Sequence, residues 1–86
     1  MLGQVGDDGD GETYIEHFKT CNVKNDLIRK VKGVATGAAY IVSNTKTGEN
    51  SIIVVGGANL TYGNEEIVEL SKEWEKVIQE SNVLLL

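Results

Sequence analysis

A cluster of carboxylates near the N-terminus is the first feature of this sequence that could do chemistry. Its members are Asp7, Asp8, Asp10 and Glu12. Closely spaced carboxylates can form a calcium loop, but that loop also needs a later glutamate that supplies two oxygens. The spacing here lacks this glutamate. The cluster therefore predicts a turn and the start of a helix, with Asp8 or Asp10 as the N-cap.

The single histidine and the single cysteine, His17 and Cys21, lie on the helix that follows. Neither has an acid or a base at a spacing that would activate it. We interpret His17 as a surface or half-buried residue and Cys21 as a structural thiol. One cysteine excludes an intrachain disulfide, and one histidine leaves no His/Cys cluster for a metal.

Two short glycine-containing pairs, Thr36-Gly37 and Gly56-Gly57, could be read as phosphate-binding turns. No helix N-terminus directly follows the first pair, and phosphate sites of this kind use one. We therefore predict that Gly37, Gly56 and Gly57 are hinge or bulge glycines at the base of a hairpin. Trp74 falls on the apolar stripe of a helix and is predicted to be core.

The elements that would position these residues alternate between strands and helices. A strand end and a loop open the chain, a helix continues to about residue 22, and residues 26–32 form a short strand. A hairpin occupies residues 34–57 and a second helix residues 65–79. This order predicts an α/β fold, namely a partial sheet with flanking helices and a protruding β-hairpin.

The second helix and the chain end carry their own signals. Asn64 is the expected N-cap, with Glu65 and Glu66 in the first turn. The apolar stripe consists of Ile67, Leu70, Trp74, Val77 and Ile78. Residues 82–86 have the composition of a buried parallel strand, which would need a neighbouring strand.

The hairpin is apolar on both faces, which is unusual because a strand with one wet face alternates apolar and polar residues. In the first strand Ala39 and Ile41 fall on one face and Tyr40 and Val42 on the other; in the return strand Ile53 and Val55 oppose Ile52 and Val54. Both faces therefore need cover. A ligand, a missing domain or a second subunit is expected to supply it.

Composition excludes several classes of function. The net charge of −5 argues against a nucleic-acid partner, because phosphate backbones select basic surfaces. The longest apolar runs are far too short to span a bilayer, and the N-terminus lacks a secretory signal. The free thiol fits a reducing compartment. The expected location is the cytoplasm, with nuclear presence also allowed.

Four segments together resemble ribokinases of the PfkB carbohydrate kinase family. They are GQVGDD at 3–8, ATGAAYI at 35–41, GENSIIVVGGANL at 48–60 and SNVLLL at 81–86. The similarity runs over essentially the whole chain of 86 residues and keeps the order of the elements. It implies an internal, incomplete segment of a ribokinase-like domain, with residues 34–57 as its substrate lid.

The resemblance also implies an activity, namely transfer of phosphoryl from ATP to the 5-hydroxyl of D-ribose, with Mg²⁺ and K⁺. The family's sugar-binding strand, its Gly-Gly-Lys-Gly-Ala-Asn stretch and its Gly-Ala-Gly-Asp motif are absent from these residues. Phosphoryl transfer depends on positioning and charge stabilisation. The chain alone is therefore expected to lack catalytic residues and binding residues for ATP and the ions.

The lid residues take their roles from the same resemblance. Ala39 and Ile41 match positions that pack over the sugar, although both could be ordinary strand core. A second set is expected to face the partner lid of a homodimer, or else to pack on this chain's own helices. It consists of Tyr40, Val42, Ile52 and Val54. Gly37, Gly56 and Gly57 would act as the lid hinge.

Two other interpretations stay open. The parent protein could be a related kinase whose acceptor is another sugar or a nucleoside. The chain could also be a truncated, non-catalytic product that acts by binding, for instance by docking its lid onto an intact kinase. Sequence on both sides of these residues would separate the alternatives.

Overall fold

The structure is a computed structural model that describes residues 1–62 and 70–85. Its elements are β1 (Gly3–Gly6), α1 (Gly9–Thr20), β2 (Ile28–Val31), β3 (Ala38–Ser43), β4 (Asn50–Val55), a 3-10 helix (Gly57–Leu60) and α2 (Lys72–Glu80). β1 and β2 form one small sheet, and β3 and β4 form another. The architecture is the predicted mixture of helices, a small sheet and a hairpin.

The first unit is a β–α–β crossover formed by β1, α1 and β2. β1 and β2 pair in parallel, with Gly3 opposite Ile28 and Gly6 opposite Val31. The Asp8 side chain caps α1 by accepting the Gly11 N–H, which settles the choice between Asp8 and Asp10. The helix ends where Asn22 adopts a positive φ of 55°. Asparagine tolerates this left-handed conformation, which closes a helix C-terminus.

The hairpin follows as predicted, with a polar connection of six residues between its strands. Asn44 organises this connection, because its side-chain oxygen accepts the N–H groups of Lys46 at 3.0 Å and Thr47 at 3.4 Å. Gly48 takes a φ of 77°, which an L side chain would adopt only with strain. The Asn44 N–H donates to the Glu49 carbonyl at 2.7 Å and so extends the ladder.

The second helix begins later than predicted. Ser71 has an extended backbone, and its hydroxyl accepts the Trp74 N–H at 3.3 Å, so the N-cap is Ser71 and the first helical residue is Lys72. Serine caps a helix about as well as asparagine does. Leu70 is exposed and precedes the helix rather than lying on its apolar stripe. The expected cap and first turn, at Asn64 to Ile67, lie outside the described residues.

Trp74 anchors α2 against β2, which confirms its predicted place in the core. The side chain is only 7% exposed, and its indole N–H donates to the Leu27 carbonyl at 3.1 Å. The Arg29 guanidinium lies 4.4 Å from the ring centroid. A cation over an indole face contributes about 0.5–1 kcal/mol at a partly exposed site. Val77, in contrast, is exposed, so the predicted stripe is only partly buried.

The predicted terminal strand is wrong for this chain. Residues 82–85 form no strand, and Val83 and Leu85 are 83% and 94% exposed. A buried parallel strand gains its stability from neighbouring strands. Within residues 1–62 and 70–85, β1 and β2 pair only with each other, so this apolar segment finds no strand beside it.

Candidate functional site

The base of the hairpin is joined to the start of α1 through Asp8 and Thr36. One carboxylate oxygen of Asp8 accepts the Thr36 N–H at 2.7 Å, and the other accepts the Thr36 hydroxyl at 2.5 Å. The second oxygen also accepts the Gly11 N–H at 2.9 Å. Thr36 Oγ1 in turn accepts the Gly6 N–H at 2.9 Å. These four bonds connect the end of β1, the first turn of α1 and the first leg of the hairpin, two residues before β3.

Thr36 is 8% exposed, which makes it a buried polar residue in the described chain. A buried hydroxyl is costly unless its donor and acceptor capacity are both used. Here the hydroxyl donates to Asp8 and accepts from Gly6, so it is fully satisfied. The sequence interpretation considered Thr36 only as part of a glycine turn and missed this bond. The only sequence signals for this bond were a Thr one residue before a predicted hinge glycine and an Asp predicted to cap the first helix.

The second leg of the hairpin is held at the same level. The Ala58 N–H donates to the Ala35 carbonyl at 2.8 Å, and Ala58 is fully buried. The Gln4 side-chain amide on β1 donates to the Ala58 carbonyl at 2.5 Å and to Thr61 Oγ1 at 2.7 Å. Both legs are therefore attached to the β1–α1 unit by hydrogen bonds.

The three predicted hinge glycines lie between these attachments and the strands. Gly57 has a φ of 52°, and a Cβ built there would fall on the Ala35 carbonyl oxygen. A Cβ on Gly37 would fall on the Asn59 side chain and the Gly56 carbonyl. The two legs approach closely here because these positions carry no side chain. Their placement at the hairpin base is as expected, and their role as a hinge stays a prediction.

The register of the hairpin corrects one part of the predicted face assignment. Ile41 lies opposite Ile52, and Ala39 lies opposite Val54. Directly opposed residues of an antiparallel pair share a face. Ile52 and Val54 therefore lie on the face of Ala39 and Ile41, and not with Tyr40 and Val42 as predicted.

The opposite face is also apolar. Tyr40 lies opposite Ile53, Val42 opposite Ser51, and Ala38 opposite Val55. The wrong assignment arose because a shift of one residue in register moves every side chain of a strand to the other face. In this hairpin odd-numbered residues of β3 lie opposite even-numbered residues of β4. The connection between the strands sets this register, and periodicity alone does not determine it.

Neither face of the hairpin is covered by the described chain. Tyr40 is 62% exposed on one face and Val54 72% on the other, and every residue of β4 is exposed. Exposed contiguous apolar surface of this kind marks a surface that meets a ligand or a partner. The structure thus has the uncovered two-faced ribbon that the sequence pattern predicts.

An open groove of about 260 Å³ runs beside the hairpin base. Its walls include Leu2 and Gln4 of the first strand region, Tyr14 and Phe18 of α1, and Gly37 and Asn59 of the base. The lining is mainly apolar with polar groups at the end nearest the hairpin. The base therefore borders a surface that the described chain leaves open.

His17 and Cys21 come together on α1, contrary to the sequence interpretation. His17 Nε2 and Cys21 Sγ lie 3.7 Å apart on its exposed side, so Cys21 has a base within reach and is not a buried structural thiol. Among residues 1–62 and 70–85, no group of three or more His, Cys, Asp or Glu side chains could hold a metal ion. The Thr36 N–H, part of a possible phosphate turn, is already donated to Asp8. We derive no step through Mg²⁺ or K⁺.

The hydrogen bonds to Asp8 lower the pKa of its carboxyl below the ordinary value of 3.8, chiefly through the Thr36 hydroxyl and then through the Thr36 and Gly11 N–H groups. A lowered folded-state pKa means that the carboxylate stabilises the fold fully above its unfolded-state pKa. This stabilisation is lost as the pH falls through the folded-state pKa.

We therefore expect Asp8→Asn to cost stability at neutral pH and progressively less below about pH 4. The measurement is urea unfolding over a pH series. It uses the longest polypeptide that the reading frame containing these residues encodes, called the long form below. Asp10→Asn is the matched control, because it removes an exposed carboxylate from the same helical turn. A gap between wild type and Asp8→Asn that stays constant down to about pH 2 would contradict the expectation.

Comparison with known proteins identifies relatives over the whole chain. A family model described as pfkB family carbohydrate kinase matches residues 1–85. Ribokinase of Mus musculus is 33% identical over 85 residues, which is 99% of this chain and 25% of that protein. Ribokinase of Schizosaccharomyces pombe is 36% identical over 86 residues, which is 100% of this chain and 26% of that protein.

Solved structures give the same relationship. Arabidopsis thaliana ribokinase, complexed with ribose and ATP, has a TM-score of 0.60 and 38% identity over 67% of this chain and 19% of that chain. Ribokinase of Cryptococcus neoformans var. grubii, in complex with ADP, has a TM-score of 0.58 and 40% identity over 67% of this chain and 18% of that chain. This chain therefore spans about a quarter of the length of its curated relatives.

Proposed function

Because this chain belongs to the pfkB family of carbohydrate kinases, we propose that it is an incomplete segment of a ribokinase that uses ATP to phosphorylate the 5-hydroxyl of D-ribose. The observation that carries the proposal is the similarity to ribokinases over 99–100% of the chain. The predicted partial ribokinase-like fold agrees with the structural matches. The described residues would contribute the substrate lid and its attachment.

The nucleotide and the sugar enter this proposal through the relatives. One solved relative holds ribose and ATP, and another holds ADP. Phosphoryl transfer needs groups that position the acceptor and stabilise the charge of the transferred phosphoryl. In this proposal the remainder of a ribokinase supplies those groups, together with any Mg²⁺ or K⁺ site. The part played by this segment would be to exclude water from the sugar.

We assign the lid surface to the face that carries Ala39, Ile41, Ile52 and Val54. The four side chains form two directly opposed pairs on one face of the ribbon. Small and branched apolar groups can close over a sugar ring and expel water, which strengthens the polar interactions beneath them. Two of these residues, Ile52 and Val54, join the surface because of the register.

We assign contact with a second subunit to the opposite face. It carries Tyr40 and Val42, which were predicted for this role, together with Ile53 and Val55. Tyr is enriched at protein interfaces because its ring buries area while its hydroxyl keeps a polar partner. A homodimer in which the hairpins pack together would cover this face. The lid would then bend at Gly37, Gly56 and Gly57, which lie between its attached legs and its strands.

No helix among the described residues is long and apolar enough to cross a membrane. The cytoplasm remains the proposed location, because a reduced thiol and the proposed phosphorylation of ribose both fit that compartment.

The proposal is tested by assaying the long form with ribose, adenosine and fructose in the presence of ATP. We expect turnover with ribose and formation of a 5-phosphate, identified by phosphorus NMR. Turnover with adenosine and none with ribose would reject the ribokinase assignment.

A non-catalytic binding role is the second candidate, favoured by the ribbon that the described chain leaves uncovered on both faces. If the reading frame closes after Leu86, we expect no turnover with any acceptor. The same hairpin would then bind an intact ribokinase, which co-purification of the two differently tagged chains would measure. Loss of that binding in Tyr40→Asp would separate it from non-specific association.

A further inference from the structure

The hairpin base contains a link that the lid proposal does not use. Asp8 belongs to the loop after β1, whereas Thr36 belongs to the first leg of the hairpin, 28 residues away in sequence. The two carboxylate oxygens bind Thr36 twice, once at its N–H and once at its hydroxyl. Two bonds to one residue restrain both its backbone and its side chain.

We infer that Asp8 is a positioning residue for the hairpin, acting through Thr36 to fix the first leg and so the point from which the lid moves. A carboxylate that accepts hydrogen bonds from both groups of one residue leaves little freedom of rotation about that residue. The next residue along the chain is Gly37, where motion of the ribbon would begin. The inference rests on the proposed lid function only for its kinetic test.

Helix capping alone does not explain this arrangement. An N-cap needs one side-chain oxygen that accepts an N–H of the first turn, and the bond to Gly11 at 2.9 Å supplies it. Serine performs that task equally well. Among the hydrogen bonds of the described chain, Oδ1 of Asp8 accepts from both Gly11 and the Thr36 hydroxyl, whereas Oδ2 accepts only from the hairpin leg, at the Thr36 N–H. This oxygen distinguishes an attachment of the hairpin from a helix cap.

The position of Thr36 argues for the same role. Its hydroxyl also accepts the Gly6 N–H at the end of β1, so Asp8 and the strand hold Thr36 from two sides. A Cβ built on Gly6 would fall on the backbone of Thr36, so the end of β1 and the first leg of the hairpin lie in direct contact. The position of the first leg relative to the sheet is thereby set at Thr36. On the other leg, Ala58 is held by Ala35 and Gln4.

Orientation matters because a lid that is not held above the site spends less time in the closed form. The apparent sugar affinity falls in proportion to the population of the competent state. Saturating sugar restores closure, so the maximal rate is preserved. Loss of the attachment is therefore expected to raise KM for the sugar at least about threefold, with kcat and KM for ATP changed less than about twofold.

The variants separate attachment from capping. Asp8→Ser keeps a capping oxygen and removes Oδ2, the acceptor of the Thr36 N–H, whereas Thr36→Val removes the hydroxyl and keeps the β-branched shape. Thr36→Ser is the conservative variant that should restore the wild-type behaviour. Asp10→Ser is the matched control for loss of an acidic group at the N-terminus of α1, because Asp10 is exposed in its first turn.

The first measurement is amide hydrogen exchange by NMR on the long form, which needs no turnover. We expect the Thr36 N–H to exchange about tenfold faster in Asp8→Ser, because this N–H loses its charged acceptor. The amides of α1 should keep their protection. Equal exchange of Thr36 in wild type, Asp8→Ser and Asp10→Ser overturns the inference.

The second measurement is steady-state kinetics with ribose on the same variants. A higher sugar KM in Asp8→Ser and Thr36→Val, restored in Thr36→Ser, supports positioning. A loss confined to kcat, or an equal loss in Asp10→Ser, overturns it. If wild type shows no turnover with ribose, the proposed function fails, and hydrogen exchange alone decides whether Asp8 holds the hairpin.

Discussion

The 86 residues expressed alone are expected to unfold without a cooperative transition and to bind ATP undetectably. Among residues 1–62 and 70–85, the buried apolar side chains are those of Val5, Ala58 and Trp74. Hydrophobic burial is the main force that offsets the conformational entropy of the chain. So small a core leaves that entropy largely uncompensated.

The dimensions of the chain support the same expectation. Its Cα radius of gyration is 15.8 Å, whereas a compact domain of this length has a radius of about 12 Å. Apolar residues that a longer chain would cover are instead exposed, as in the hairpin and in residues 83–85. Under the proposed function, the remainder of the ribokinase sheet would bury them.

Circular dichroism during heating and titration calorimetry with ATP measure both parts of this prediction. The long form is the control, and it should melt sharply and bind ATP. A sharp two-state melt of the 86 residues alone, together with saturable ATP binding, would contradict the prediction and would also count against an incomplete segment.

A single aspartate on either face of the hairpin is expected to abolish a different property of the long form. Under the proposed lid function, Ile41→Asp should raise KM for ribose on the order of a hundredfold, because a hydrated carboxylate would replace an apolar side chain that excludes water from the sugar. Ile52→Asp should do the same, since Ile52 lies directly opposite Ile41. Tyr40→Asp should instead convert the proposed dimer to a monomer.

The design is matched because all three substitutions place the same residue in exposed strands of one ribbon. Thr45→Asp adds the same charge in the connection at the tip and should change neither property. Ribose kinetics and sedimentation velocity give the two measurements. Loss of dimer in Ile52→Asp with unchanged sugar KM would mean that the face assignment from the register does not describe the working lid.

Local signals predicted the elements whose stability comes from nearby residues. Asp8 capped the first helix as the capping pattern indicates, and the apolar runs around the Asn44 connection formed the hairpin. Trp74 took its core position from helical periodicity. The family resemblance came from the order of such segments, and the comparisons confirm it.

Errors occurred where two local signals competed or where a partner was required. Ser71 capped the second helix because its hydroxyl reached the Trp74 N–H, although Leu70 fitted a longer apolar stripe. Residues 82–85 read as a strand but found no neighbour in the described chain. Periodicity identifies a face or a strand, but it does not supply the surface that covers it.

The β–α–β unit, the two-faced apolar ribbon and the family were predictable from the amino-acid sequence, because they depend on residue types at short spacing. Two other features required the folded chain, namely that Ile52 rather than Ile53 shares a face with Ile41, and that Thr36 binds Asp8 across 28 residues. Register follows from the exact geometry of a connection, and a contact between distant residues follows from how elements pack. Neither is encoded in the spacing of residues along one element.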